Sequence, residues 1–71
     1  MNTLVNIQRM EYEKYYVYTA MQKYGGGFVS SLGYALMRAD HRNTLRIKEA
    51  FPDYWERYLE IGETEWNKNN P

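Results

Sequence analysis

Ten consecutive residues without a charged side chain, Phe28 to Met37, directly follow three glycines. Apolar residues recur in this run at helical spacing, which predicts a helix from about Gly27 to Ala39. Gly33 lies inside that helix, where glycine costs about 1 kcal/mol relative to alanine, and this predicts close approach by a second helix. Because the other side of the run carries small or weakly polar residues, we expect this helix to be central and covered on two sides.

Length and composition limit the classes of protein to which the chain can belong. It has 71 residues, enough for one small domain, and no cysteine, which excludes disulfides and cysteine-based metal sites. No apolar stretch approaches the roughly 20 residues that span a bilayer, and the N-terminus lacks the pattern of a signal peptide. We therefore expect a cytoplasmic protein with no membrane partner, and we predict no cofactor.

Capping residues divide the remaining sequence into further helices. Gly25 is expected to end the first helix in the left-handed conformation, and Asp40 is a predicted N-cap. Pro52 suits the first position of a helix, and Gly62 is the predicted stop of that helix. The predicted ranges are about Asn2 or Thr3 to Tyr24, His41 to Ala50, and Pro52 to Ile61.

The predicted fold class is all-α, a small bundle of three to four short helices. Residues 1–66 are expected to form a single helical domain and residues 67–71 a disordered tail. Apolar side chains on the predicted helix faces should form the core, which is expected to contain Val17, Met21, Phe28, Leu32, Leu36, Leu45, Ile47, Phe51, Trp55 and Leu59.

The polar residues do not match the patterns of common active sites. His41 is the only histidine, and its neighbour Asp40 does not face it on a helix, so a Ser–His or zinc site lacks partners. The three glycines lack the lysine and spacing of a P-loop. A bundle this small leaves little room for a pocket of the usual ~300 Å³. We predict that the chain is not an enzyme and has no small-molecule substrate or metal site.

Tyrosines are the unusual feature of the first helix. Tyr12, Tyr15 and Tyr16 project roughly opposite the apolar stripe of that helix, where a monomer normally carries charged and polar residues. Tyrosines with polar neighbours are typical of protein interfaces, since the ring is apolar and the hydroxyl can stay hydrogen-bonded. The sequence therefore predicts a protein-binding face, with Arg9 and Lys23 at its rim, that binds a protein partner or a second copy in a homo-oligomer. Alternatively, the rings cover a second side of the core.

Two further functions stay open because the net charge of zero conceals an uneven distribution. The segment from Phe28 to Phe51 is compatible with a helix-turn-helix that reads DNA, with Arg42, Arg46 and Lys48 as the nucleic-acid-binding residues. The last helix is acidic, and Glu56, Glu60 and Glu63 are compatible with an inhibitor that imitates phosphates toward a host nuclease or defence complex.

A longer pattern carries a resemblance. It comprises Tyr24-Gly25-Gly26-Gly27-Phe28, Leu32, Arg38-Ala39-Asp40, Asn43, Ile47 and the run Ala50-Phe51-Pro52-Asp53-Tyr54-Trp55-Glu56-Arg57-Tyr58. This pattern resembles short uncharacterised phage and prophage proteins over about half of the chain. The resemblance implies a bacterial host cytoplasm and a small accessory role. It carries over no catalytic residue, and the tyrosines of the first helix lie outside it.

Overall fold

A computed structural model describes the backbone of residues 3–70 and the side chains of residues 8–70, and it confirms the all-α prediction. Residues expected to start the first helix include Asn2, which lies outside the described part. Residues 3–70 form four helices in succession, α1 (Thr3–Tyr24), α2 (Gly27–Met37), α3 (His41–Ala50) and α4 (Pro52–Asn69).

Two of the predicted capping residues act as expected, and a third does not. The Asp40 side chain accepts a hydrogen bond from the Asn43 amide at 2.8 Å, which caps α3. Pro52 is the first residue of α4. The left-handed conformation expected of Gly25 is wrong, since no described glycine has a positive φ. Glycine is needed there for space, because a Cβ would lie only 2.7 Å from Cγ1 of Val29.

Helix α1, rather than α2, occupies the centre of the bundle. It packs along both α2 and α4, and Val17 and Met21 on it are fully buried. Among the described helices, α1 alone packs along the length of α2, and α3 touches α2 only at its end, so the expectation that α2 is covered on two sides is wrong. Tyr34 on the outer side of α2 is 53% exposed. Phe28 is 61% exposed, although its ring centroid lies 5.9 Å from that of Phe51.

Helices α2 and α4 each contact α1 through a glycine, which lets the backbones come close together. A Cβ at Gly33 of α2 would lie 2.7 Å from Cβ of Met21, which confirms the predicted close approach. A Cβ at Gly62 of α4 would lie 2.9 Å from the carbonyl carbon of Tyr16. Real Cβ atoms do not come this close to their neighbours, so both contacts depend on the missing side chain.

Helix α4 is longer than the sequence suggested. It continues through Gly62 to Asn69, so the predicted stop at Gly62 is wrong. Gly62 is buried inside the helix, where its lack of a side chain serves packing on α1 rather than chain reversal. Residues 67–69, expected to belong to a disordered tail, form the end of α4, and the Asn70 amide donates to the Trp66 carbonyl at 2.9 Å. Pro71 lies outside the described residues.

The core agrees with the prediction in part. Val17, Met21, Leu36 and Trp55 are buried as expected, and Leu32, Ile47, Phe51 and Leu59 are half-buried. The prediction is wrong for Phe28 and for Leu45, which is 41% exposed. Thr44 takes the inward position on α3, and its neighbour Leu45 is rotated about 100° away from it. The buried side chains that the prediction omitted are Met10, Tyr16, Ala20, Val29, Thr44 and Tyr58.

Candidate protein-binding surface

Four aromatic rings form a continuous strip across the outer side of α1 and the end of α4. We call Tyr12, Tyr15, Tyr16 and Trp66 the aromatic ridge. The ring of Tyr16 is at its centre, with ring centroids of Tyr12, Tyr15 and Trp66 at 5.2, 5.6 and 6.2 Å. All three pairs are edge-to-face, the arrangement that aromatic quadrupoles favour. The four rings therefore pack against one another as one connected surface.

The members of the ridge differ in exposure, and this corrects the prediction for Tyr16. Tyr12 and Tyr15 are 60% and 50% exposed, and Trp66 is 47% exposed, whereas Tyr16 is only 8% exposed. The backbone of Tyr16 packs against Gly62, so its ring is covered by α4. Tyr16 belongs to the second covered side of α1, which was the alternative interpretation of the tyrosines. It supports the exposed rings and is not itself available to a partner.

The Tyr16 hydroxyl is held in its neutral form. It donates a hydrogen bond to the Tyr12 hydroxyl, with 3.3 Å between the oxygens. This bond, together with burial and the nearby Glu63 carboxylate, raises the pKa of Tyr16 to about 12. The hydroxyl thus ties the buried ring to an exposed one at neutral pH and above.

The two predicted rim residues have different surroundings. Arg9 is exposed, as the prediction requires. Lys23 is exposed but makes an ion pair with Glu65 of α4, with Nζ 2.5 Å from Oε1, and the Tyr24 hydroxyl donates to the same carboxylate. The hydrogen bonds from Lys23 and Tyr24 lower the pKa of Glu65, and the bond to Glu65 raises the pKa of Lys23. Lys23 therefore links α1 to α4. Its charge is paired within the chain, whereas the prediction placed it at the rim of the protein-binding face.

A small open cavity of about 150 Å³ lies beside the ridge, between α1 and α4. Polar side chains line much of it, among them Thr19, Lys23, Glu65 and Asn69. Typical small-molecule pockets are at least about twice as large and mainly apolar. The cavity extends the ridge sideways as a notch that suits a single side chain of a partner.

Trp66 is the ridge member that the sequence prediction did not assign to the surface. The signal that identifies it is its spacing from Gly62, because residues four apart lie on the same side of a helix. Once Gly62 is known to touch Tyr16, Trp66 must lie against the same part of α1.

The structure separates the three residues of the predicted nucleic-acid site. Arg42 and Arg46 are exposed on α3. Lys48 is half-buried, with Nζ 3.4 Å from a Glu13 oxygen and 5.3 Å from the centroid of the Trp55 ring. Lys48 is thus engaged by Glu13 and Trp55, and the three residues do not form one basic surface.

Glu13 has a structural role that also involves the buried indole. Its Oε1 accepts a hydrogen bond from Trp55 Nε1 at 2.9 Å, in addition to the contact with Lys48. The Glu13 carboxylate of α1 therefore contacts both Lys48 of α3 and Trp55 of α4.

The acidic residues of α4 differ in exposure as well. Glu56 and Glu60 are exposed, and Glu63 is half-buried near the ridge.

His41 is exposed on α3, with Nδ1 3.5 Å from a Glu11 oxygen. Within the part of the chain that the structure describes, no three acidic or histidine side chains converge as ligands for a metal ion. None of the described helices is long and apolar enough to cross a membrane.

No protein-family model, no curated protein and no solved structure matches this chain. The resemblance to short phage and prophage proteins, with the accessory role that it implies, therefore stays a prediction.

Proposed function

We propose that this chain is a small non-enzymatic protein-binding module that docks through the aromatic ridge, with a second copy of itself as the first partner. The carrying observation is that Tyr12 and Tyr15 keep half or more of their surface in water while their rings are packed against Tyr16. A ring used only to cover the core would be buried, as Tyr16 is.

The energetics of a preformed aromatic surface support this proposal. Burying one such ring is worth about 1.5–3 kcal/mol before the costs of association. Part of that cost is the ordering of side chains, about 0.5–1.5 kcal/mol for each flexible one. Because the edge-to-face contacts already restrict Tyr12 and Tyr15, a partner has little ordering left to do at these positions.

The composition of the surface also agrees with known interfaces. Tyrosine, tryptophan and arginine are the residues most enriched among those that dominate binding energy. The ridge presents two tyrosines and a tryptophan, with Arg9 exposed on the same helix.

The test compares the self-association of the wild-type chain with that of a Tyr12→Ser/Tyr15→Ser variant by sedimentation velocity over a range of concentrations. Tyr16 is left intact, since removing a buried ring would damage the fold. We expect the variant to self-associate at least about tenfold more weakly, the effect of losing roughly 1.4 kcal/mol. Tyr34→Ser is the matched control, because Tyr34 is equally exposed but lies on α2.

Two results would end the proposal. One is an equal loss of association in the Tyr34→Ser control, which would mean that any exposed tyrosine contributes. The other is a wild-type chain that stays monomeric at all concentrations and also fails to retain any protein from bacterial lysate.

Nucleic-acid binding through Arg42 and Arg46 is the second candidate. It is favoured by the exposure of both guanidinium groups on one side of α3, four residues apart. Affinity for duplex DNA that falls steeply with salt, and that drops in an Arg42→Ala/Arg46→Ala variant, is the expected result. Absence of binding at low salt removes this candidate.

A further inference from the structure

The charged residues divide into a group that is paired within the chain and a group that is not. Among residues 8–70, the cations of the ion pairs are Lys14, Lys23, His41 and Lys48, and the anions are Glu11, Glu13 and Glu65. No arginine of this range makes an ion pair, and neither does any acid between positions 49 and 63. Two sets of opposite charge thus remain on the surface without partners of their own chain.

Two arginines of the first set border an open groove of about 510 Å³ between α2 and α3. Arg38 and Arg46 line the groove together with Asn43, and its remaining lining is apolar, from Ala35, Ala39, Ile47, Ala50 and Phe51. Arg42 lies one turn before Arg46 on the exposed side of α3. The acids nearest in sequence are Asp40, whose carboxylate caps α3, and Glu49.

The second set forms an acidic stripe along α4, namely Asp53, Glu56, Glu60 and Glu63. With about 100° per residue, these four positions fall within an arc of roughly 80°. Arg57 lies outside this arc, beyond Asp53 and about 120° around the helix from Glu63. The stripe adjoins the aromatic ridge at Glu63, whose carboxylate acts on the Tyr16 hydroxyl.

We propose that the basic groove between α2 and α3 is the docking site for the acidic stripe of a second copy of this chain. This inference rests on the self-association part of the proposed function, and it names both the partner and the surface that the partner offers. The stripe and the adjoining ridge form one continuous surface that one copy inserts into the groove of the next. The groove of the next copy accepts it, with Arg38, Arg42 and Arg46 opposite the carboxylates.

Charge complementarity within a chain of zero net charge selects this occupant over a nucleic acid. A polyanion would satisfy the three arginines but leave the four carboxylates of the stripe without partners. A second copy brings both signs and satisfies both sets. Because the donor and acceptor are different surfaces, the contact is heterologous, and it builds a ring if the rotation closes and a filament if it does not.

The test is a charge-reversal complementation measured by sedimentation velocity. One variant carries Glu56→Lys and Glu60→Lys, and the other carries Arg38→Glu and Arg46→Glu. All four positions are exposed, so circular dichroism should show both variants folded. Each variant alone should associate at least about tenfold more weakly than the wild type, because like charges then face each other.

Mixing the two variants should restore association to near the wild-type level. In the mixture, the arginine groove of one chain meets a wild-type stripe, and the reversed groove meets the lysine stripe. Wild-type association should also weaken between about 0.1 M and about 1 M NaCl, where the Debye length falls from about 10 to about 3 Å. An unfolded or generally damaged variant cannot produce recovery on mixing.

The outcomes separate this inference from the proposed function. If charge reversal leaves association unchanged while Tyr12→Ser/Tyr15→Ser weakens it, the ridge binds but the groove assignment falls. If the mixture fails to recover, or if a monomeric wild type binds duplex DNA through the arginines, the groove assignment also falls. If the charge variants behave as expected and the tyrosine variant associates normally, the groove assignment stands and the ridge proposal falls.

Discussion

Helices α1 and α2 differ in burial in the opposite sense to that suggested by their compositions. Helix α1 carries several charged residues between Arg9 and Lys14, yet it contains Val17 and Met21, which have no exposed surface. Helix α2 carries no charged residue, yet Phe28 and Tyr34 on it are more than half exposed. The difference teaches that burial in so small a bundle depends on how many helices lie alongside, and not on hydrophobicity alone.

Two neighbours can reach α1 because each brings a glycine to the contact. Gly33 meets the Met21 side of α1, and Gly62 meets the backbone at Tyr16. Helix α2 receives only one such approach, so its outer side stays open. Several charged side chains of α1 contact other parts of the bundle. Lys14 donates to the Ala39 carbonyl at 2.6 Å, and Glu13 accepts from Lys48 of α3.

The largest expected effect contrasts a methionine on each helix. Met21→Ala should lower the free energy of unfolding by about 2–5 kcal/mol, because it opens a cavity at a fully buried position that packs against α2. Met37→Ala on α2 removes the same atoms from a residue that is 40% exposed, and we expect a change within about 0.5 kcal/mol. Urea unfolding followed by circular dichroism measures both.

A loss as large as that of Met21→Ala can unfold a domain of this size, so Met21→Leu serves as the milder variant, with an expected cost below about 1.5 kcal/mol. Equal losses at Met21 and Met37 would contradict the central position of α1.

The second effect concerns the glycine contact itself. Gly62→Ala should destabilise the fold by about 1–3 kcal/mol, because the new methyl group would press against the Tyr16 backbone and push α4 away. Alanine has the better helix propensity by about 1 kcal/mol, which would stabilise the variant. A net loss of stability therefore means that the steric effect is larger than this gain. Thermal unfolding measures the change.

Gly27→Ala is the matched control for this prediction. A Cβ at Gly27 meets no atom within 4 Å, so alanine should stabilise slightly, by about 0.4–1 kcal/mol. A stabilised Gly62→Ala variant would show that α4 does not rest on α1 at that point.

The smallest effect depends on pH and concerns the attachment of α4 to α1. Contacts with Lys23 and Tyr24 lower the pKa of Glu65 from its usual 4.5, so the folded state binds this proton less readily than the unfolded state. The stabilisation from Glu65 is therefore complete well above pH 4.5 and is lost as the pH falls through the lowered pKa. Wild type should melt slightly above Glu65→Gln at pH 7, and the difference should shrink as the pH falls below 4.5. A difference that persists at the acidic end would contradict this attachment.

Local interactions made part of the fold predictable. The Asp40 cap and the position of Pro52 follow from residues within one turn, so the sequence was sufficient to identify both. Gly33 was also interpretable, because an isolated glycine inside a helix has a cost that a close contact explains. The type and number of the helices followed from such signals.

Long-range register explains what the sequence did not reveal. Whether Tyr16 is covered depends on how α4 lies along α1, and Gly62, forty-six positions later, determines that contact. The inward position of Lys48 likewise depends on Glu13 and Trp55 from other helices. Two of the three predicted tyrosines, Tyr12 and Tyr15, are therefore exposed as the prediction requires, while the position of Trp66 beside them follows only from the packing of α4 on α1.

The two tryptophans give the protein a pair of optical probes in different environments. Trp55 is 2% exposed in the core, and Trp66 is 47% exposed on the ridge. An aqueous quencher such as iodide reaches an indole in water far more readily than a buried one. Emission from the accessible indole can therefore follow the arrival of a partner, while emission from the shielded indole reports in the same cuvette whether the chain has stayed folded.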